Sequence, residues 1–220
     1  MRFVALALAA LSVACGGPTV GDLVSQEVSL TVRAVSSDPS AVSIGEADGG
    51  AALTRAFVSA SAITLLPCNE EAAPIVLEPR GYELVGETPY GERITTAVRT
   101  FCGVQLDVAP VEDTEAEGVP AGASLYVEGT DADGAPFTLS SDASFSLRLE
   151  AEDEEGFGKV PLLLTVDAAT WLAGLPLSED MSDMAASPFV DQLQAALALY
   201  VDLDDDGALD PDEEPIHTTR

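Results

Sequence analysis

Between positions 202 and 213 the chain places Asp202, Asp204, Asp206, Asp210 and Glu213, with Gly207 and Ala208 among them. Carboxylates at alternate positions of a short segment can turn their oxygens inward if the backbone curls, and Gly207 permits a tight curl. An all-oxygen donor set suits a hard divalent cation. Eight of the thirteen residues 202–214 are acidic, so without a cation they repel one another. The plainer alternative is a solvated acidic tail whose spacing happens to fit. Other chemistry has little to work with. The single histidine, His217, is the fourth residue from the end and reads as part of a frayed end. No nucleophile elbow, phosphate loop or paired-histidine zinc motif occurs. Carboxylate pairs for glycoside hydrolysis carry no information where acids are this abundant. No catalytic residue and no enzymatic activity are expected. The run of acids at 152–155 could hold a second cation or simply form a solvated loop.

The segment Asp202-Leu-Asp-Asp-Asp-Gly-Ala-Leu-Asp-Pro-Asp-Glu213 resembles an EF-hand calcium loop, and single loops of dockerins and thrombospondin type 3 repeats. The resemblance implies carboxylate ligands from Asp202, Asp204 and Asp206, and a backbone carbonyl from Ala208. It implies a water-mediated contact from Asp210 and a bidentate one from Glu213. Leu209, at the apolar eighth place, would pin the loop to the core. No second helix follows, so the expected site is solitary and structural, with an affinity of about 10⁻⁴ to 10⁻³ M for Ca²⁺.

The remainder of the chain must carry this loop. Of 220 residues, 47% are hydrophobic, enough for a packed core. Nine Lys+Arg against 38 Asp+Glu give a net charge of −29, which excludes nucleic acid as a partner because nothing would neutralise its phosphates. At the N-terminus, Arg2 precedes twelve residues, 3–14, that are apolar except for Ser12. That is too short to span a bilayer and fits a signal-peptide core. Leu11-Ser-Val-Ala-Cys15 resembles the lipobox of bacterial lipoproteins, although Ser12 stands where that family usually has Leu. The resemblance implies lipid on Cys15 and a membrane anchor. Gly16 after it implies outer-membrane sorting in the bacterial envelope. Ser12 and Ala14 also suit ordinary signal peptidase, which would cut the same bond. With Cys15 lipidated, Cys68 and Cys102 remain as an even pair in an oxidising compartment, where a disulfide is expected. Two buried free thiols are the alternative.

From residue 23 to 166 the dominant period is two. Val28, Leu30, Val32 and Ala34 alternate with Glu27, Ser29, Thr31 and Arg33. Residues 55–66 are apolar on both faces and suit a central strand. Residues 95–108 read as one further run. Leu125 and Val127, then Asp131-Ala-Asp-Gly134, then Phe137 and Leu139 predict a hairpin. Phe145, Leu147 and Leu149 alternate, and residues 160–166 form another apolar run. Short strands with Gly, Pro and Asp turns predict a mainly β, antiparallel β-sandwich of immunoglobulin or transthyretin type. After it, Asp167 caps a short helix holding Trp171, residues 174–187 read as loop, and Ser187-Pro188 starts a helix over 188–201 that leads into the acidic loop. The organisation is a signal peptide at 1–14, a tether at 15–22, a sandwich at 23–166 and a helical C-terminal segment at 167–220.

Thr54-Arg-Ala-Phe-Val-Ser-Ala-Ser-Ala-Ile-Thr-Leu-Leu66, Tyr82-Glu-Leu-Val85 and Gly103-Val-Gln-Leu-Asp107 together resemble exported carbohydrate-binding-like β-sandwich domains of unknown function. No site residue is carried over from them. The reading is a membrane-anchored binding or adhesion module with a structural calcium ion, whose partner is a carbohydrate or a protein surface. The alternative is an envelope lipoprotein with a purely structural or assembly role. Trp171 and the tyrosines could form a sugar-stacking platform or pack in the core.

Overall fold

The computed structural model describes residues 26–45, 50–86, 90–98, 100–110, 118–151, 156–158, 161–175, 177, 186–213 and 215–218. The signal-like segment, the tether with Cys15, and the acids at 152–155 lie outside these residues. The chain begins with β1 (Gln26–Val35), β2 (Val42–Ile44), β3 (Ala51–Pro67), β4 (Ile75–Leu77) and β5 (Arg80–Glu83). It continues through β6 (Tyr90–Thr96), β7 (Phe101–Val108), β8 (Leu125–Thr130), β9 (Pro136–Ser141) and β10 (Phe145–Glu150). It ends with β11 (Leu162–Asp167), α1 (Ala168–Trp171), α2 (Ala186–Ala196), β12 (Leu197–Val201) and β13 (Pro215–Thr218).

The protein is mainly β, with two largely antiparallel sheets, as expected. One has the order β13-β12-β11-β1-β6, in which β1 and β11 run parallel. The other is built on β3, which joins β7 and β10 to β8 and β9 and also pairs β2, β4 and β5. Burial explains why β3 takes so many partners. It is 17 residues long, ten of them buried and on both faces, which is too long for one neighbour to cover. Its Ala52–Val58 stretch pairs with β8 and its Ala60–Pro67 stretch with β7. At Ser59 the N–H donates to Ser124 O at 2.7 Å while the carbonyl accepts from Ala109 N–H at 3.2 Å. An extended residue points both groups to one side, so the neighbour on that edge changes at Ser59.

Val28, Leu30, Val32 and Ala34 of β1 are buried in one apolar core with Leu53, Ala56 and Val58 of β3. Both sheets therefore bury a face in the same core, which is consistent with a β-sandwich. The Asp131–Gly134 hairpin is present between β8 and β9. Asp131 Oδ1 accepts from Asp133 N at 2.9 Å and Ala135 N at 2.8 Å, and Gly134 takes φ +80°. The Cys68–Cys102 disulfide is formed, with Cα atoms 4.8 Å apart, tying the end of β3 to β7. Gly156 packs here with φ +65°; a Cβ would lie 2.4 Å from Cys68 Sγ and 2.3 Å from Phe101 O, so only glycine fits.

Three expectations need correction. Residues 95–108 fall in two strands, since β6 ends at Thr96, β7 starts at Phe101, and the two lie in different sheets. The C-terminal helix stops at Ala196. Leu197–Val201 is instead strand β12, antiparallel to β11, because pairing along β11 satisfies its backbone while Leu197 and Leu199 enter the core. His217 is not frayed at the backbone: it pairs with Leu199 in β13. The C-terminal segment thus supplies two strands to the first sheet.

Trp171 belongs to the core and not to a surface platform. It is fully buried, stacks on Phe189 at 5.1 Å, and donates Nε1–H to Phe189 O at 3.2 Å. Asp167 caps α1 as expected, accepting from Ala169 N. Tyr82 and Tyr126 are also buried. Burial, then the Glu92 charge, pushes the Tyr82 phenol up to about 12. Burial, then the hydrogen bond to Glu128, does the same for Tyr126. A phenol whose folded pKa is raised contributes stability below its unfolded pKa and loses it as pH rises through the folded one. The urea midpoint should therefore hold steady up to about pH 10 and fall between about 10 and 12. The expected loss is about 1–2 kcal/mol after solvent screening, with Tyr82→Phe reducing the drop.

Candidate metal centre

The acidic loop joins β12 to β13, so a strand and not a helix leads into it. Parity along the strands shows where it lies. Val28, Leu30 and Val32 face the core, which leaves Ser29, Thr31 and Arg33 on the outer face beside Leu163 and Thr165 of β11. The loop folds back over that outer face as far as β1. Ser29 Oγ donates to Asp205 Oδ1 at 2.8 Å, and Arg33 Nη1 donates to Gly207 O at 2.6 Å. Leu163 and Thr165 are correspondingly buried, so the loop is a packed element and not a solvated tail.

Asp202 sits at the head of the loop, 1% exposed, its N–H donating to Pro161 O at 3.0 Å. Its Oδ2 accepts from Gly207 N at 2.9 Å. Its Oδ1 is buried with no hydrogen-bond partner. A buried carboxylate oxygen without a donor is costly and asks for a counter-charge. Carboxylate oxygens of Asp202, Asp204 and Asp206 lie within 4.8 Å of one another. The curl that gathers them uses two left-handed residues, Asp205 at φ 60° and Gly207 at φ 71°. Asp206 Oδ1 also accepts from Ala208 N at 2.6 Å.

Glu213 closes the far end. It is buried, with Oε1 accepting from Leu203 N at 2.8 Å and Oε2 from Asp210 N at 3.0 Å. Both oxygens thus clamp the two ends of the loop through its backbone. Asp210 is exposed, and neither it nor Glu213 is in the close group of three. Some desolvation, then the charges of Asp204, Asp206, Asp212 and Glu213, push the Asp210 carboxyl above its usual range. Leu209 does not reach the core. It lines a crevice on the outer face with Val35, Thr165 and Tyr200.

Three carboxylates with converging oxygens, one of them buried and incompletely partnered, form a donor set that could hold a metal ion. Sequence reasoning identified those three but missed Ser29 and Arg33, which dock the loop from more than 170 residues away. Their only signal is that they share the polar face of β1. No family model, curated protein or solved structure matches this chain.

Proposed function

We propose that the protein is an exported, lipid-anchored binding or adhesion module whose C-terminal loop holds a structural Ca²⁺ ion. The observation that carries the calcium reading is the unpartnered, buried Oδ1 of Asp202 at the head of an Asp-x-Asp-x-Asp-Gly curl. Calcium takes six to eight oxygens and tolerates irregular geometry. Asp204 and Asp206 would complete one side, with the Ala208 carbonyl, a water on Asp210 and Glu213 on the other. The loop's packing against β1 and β11 supports a stabilising role over a switching one, since the same element is part of the sheet's outer layer. Two sheets about one apolar core support an immunoglobulin- or transthyretin-like sandwich as the carrier. Export and lipid on Cys15 rest on the N-terminal residues.

Calorimetric titration of the protein with CaCl₂ tests the site. One ion should bind at submillimolar to millimolar concentration, and Glu213→Gln should abolish most of the heat. Absence of calcium heat at millimolar levels would overturn the reading. Mg²⁺ should substitute poorly, because it demands a tighter octahedron and keeps its waters. The anchor is tested separately by intact-mass analysis of protein taken from its native membrane. The mature chain should begin at a diacylated Cys15, and a soluble chain with an unmodified Cys15 would refute it.

A further inference from the structure

The outer face of the first sheet carries a crevice of about 230 Å³ between the ends of β1, β11 and β12, the start of α1, and Leu209 of the acidic loop. Five hydroxyl side chains line it, and four of them, all but Tyr200, have their proton committed. Ser36 Oγ donates to Val42 O, and Thr165 Oγ1 donates to Ala198 O at 3.4 Å. Ser37 Oγ and Thr170 Oγ1 both donate to Asp167 Oδ2 at 2.6 Å. Carbonyls and an ionised carboxylate cannot donate in return, so these directions are fixed by the partners. These four hydroxyls therefore have only oxygen lone pairs left for a ligand, and the Tyr200 hydroxyl is the one side-chain donor in the lining.

Asp167 sets the charge. Its Oδ1 also accepts from Ser37 N at 2.9 Å and Ala169 N at 3.3 Å, so both oxygens are fully used within the protein. Burial opposes its charge, but these hydrogen bonds outweigh it and hold the carboxyl below the usual carboxylate range. Burial and then the Asp167 charge raise the Tyr200 phenol, which places Tyr200 in the same negative field. The other walls are apolar: Val35, Leu197, Leu209 and the Tyr200 ring. A ligand for this crevice must donate hydrogen bonds, accept few, bear positive charge and carry a short apolar stem. Carboxylates and phosphates would meet four hydroxyls with no proton to give and a like charge, with the Tyr200 hydroxyl alone left to donate to them.

We propose that this crevice binds a primary ammonium group on a short alkyl stem, either a free alkylamine or a lysine side chain of a partner protein. An ammonium has three donors and no acceptor, which matches lone pairs from Ser36, Ser37 and Thr170 with the Asp167 charge behind them. The stem lies along Leu209 and Tyr200. The site rests on the binding-module reading and gives that module a ligand chemistry, while its residues are distinct from the calcium ligands.

Saturation-transfer NMR on the full chain, with calcium present, tests it with n-butylammonium against n-butanol and butyrate. Butylammonium should give saturable transfer and the other two none. Asp167→Asn keeps the capping acceptor but removes the charge, and should weaken butylammonium about tenfold. Tyr200→Leu, which leaves Asp167 untouched, serves as a second variant and should weaken it less. Equal transfer from n-butanol, no saturation, or an unchanged affinity in Asp167→Asn with a native melting curve would overturn the proposal. Competition by an acetyl-Gly-Lys-Gly-amide peptide identifies a protein lysine as the source. Butylammonium binding without such competition identifies a free amine. Butylammonium binding in a protein that gives no calcium heat would sink the calcium reading and leave this site standing; the reverse would sink this site alone.

Discussion

Trp171→Ala is expected to destabilise the protein by about 3–5 kcal/mol, as removal of a large buried aromatic does when the site cannot collapse. Trp171 is fully buried and stacked on Phe189, so its loss opens a cavity between α1 and α2. It also leaves Phe189 O without the indole donor. Trp171→Phe should cost less, because it keeps most of the apolar volume. Trp171 is the chain's one tryptophan, so its fluorescence reports unfolding of the wild type directly, and circular dichroism serves for the variants. A loss under 1 kcal/mol for Trp171→Ala would contradict the packing described.

Reduction of the Cys68–Cys102 disulfide is expected to lower stability by about 3.8 kcal/mol on the loop-entropy argument, for a sequence separation of 34. The bond closes the start and end of the excursion through β4, β5 and β6, in which the chain leaves the β3 sheet for the β1 sheet and returns as β7. Without it the unfolded chain regains the freedom of that long loop. The bond does not create the pairing of β3 with β7, which has its own ladder, so the reduced protein should fold to the same sheets. Denaturant curves with and without reductant, each fitted with its own slope and extrapolated to water, measure the difference.

Much of the β architecture was legible because alternation on β1 and β10 and two-sided burial on β3 follow directly from the period of a strand. The Asp131–Gly134 turn and the Asp167 cap were legible for a local reason, since each is made by hydrogen bonds within a few residues. Leu197–Val201 was not. Its residues are apolar at both helical and strand spacing, so periodicity alone cannot choose. The open edge of β11 chooses strand. The sequence between Thr96 and Phe101 has no Gly, Pro, Asn or Asp to mark a turn, so nothing local separates β6 from β7.

At the candidate site, the three converging aspartates and Gly207 were legible from spacing. The loop's seat on the outer face was not, because it depends on β1 and β11 lying side by side in parallel, a pairing between distant segments. Leu209 illustrates the consequence. Its apolar type suggested a core anchor, while the fold-back of the loop sets it over Thr165 and Tyr200.

A calcium ion that completes the Asp202 carboxylate should stabilise the fold. The most direct measurement is the melting temperature of the full chain in excess CaCl₂ and in chelator, for the wild type and for Asp202→Asn. At a hundredfold excess over Kd, binding to the folded state alone adds about 2.7 kcal/mol, roughly 5–10 °C for a chain of this size. The wild type should show that shift, and Asp202→Asn little or none. Identical melting in calcium and chelator, or a full calcium shift in Asp202→Asn, would contradict it.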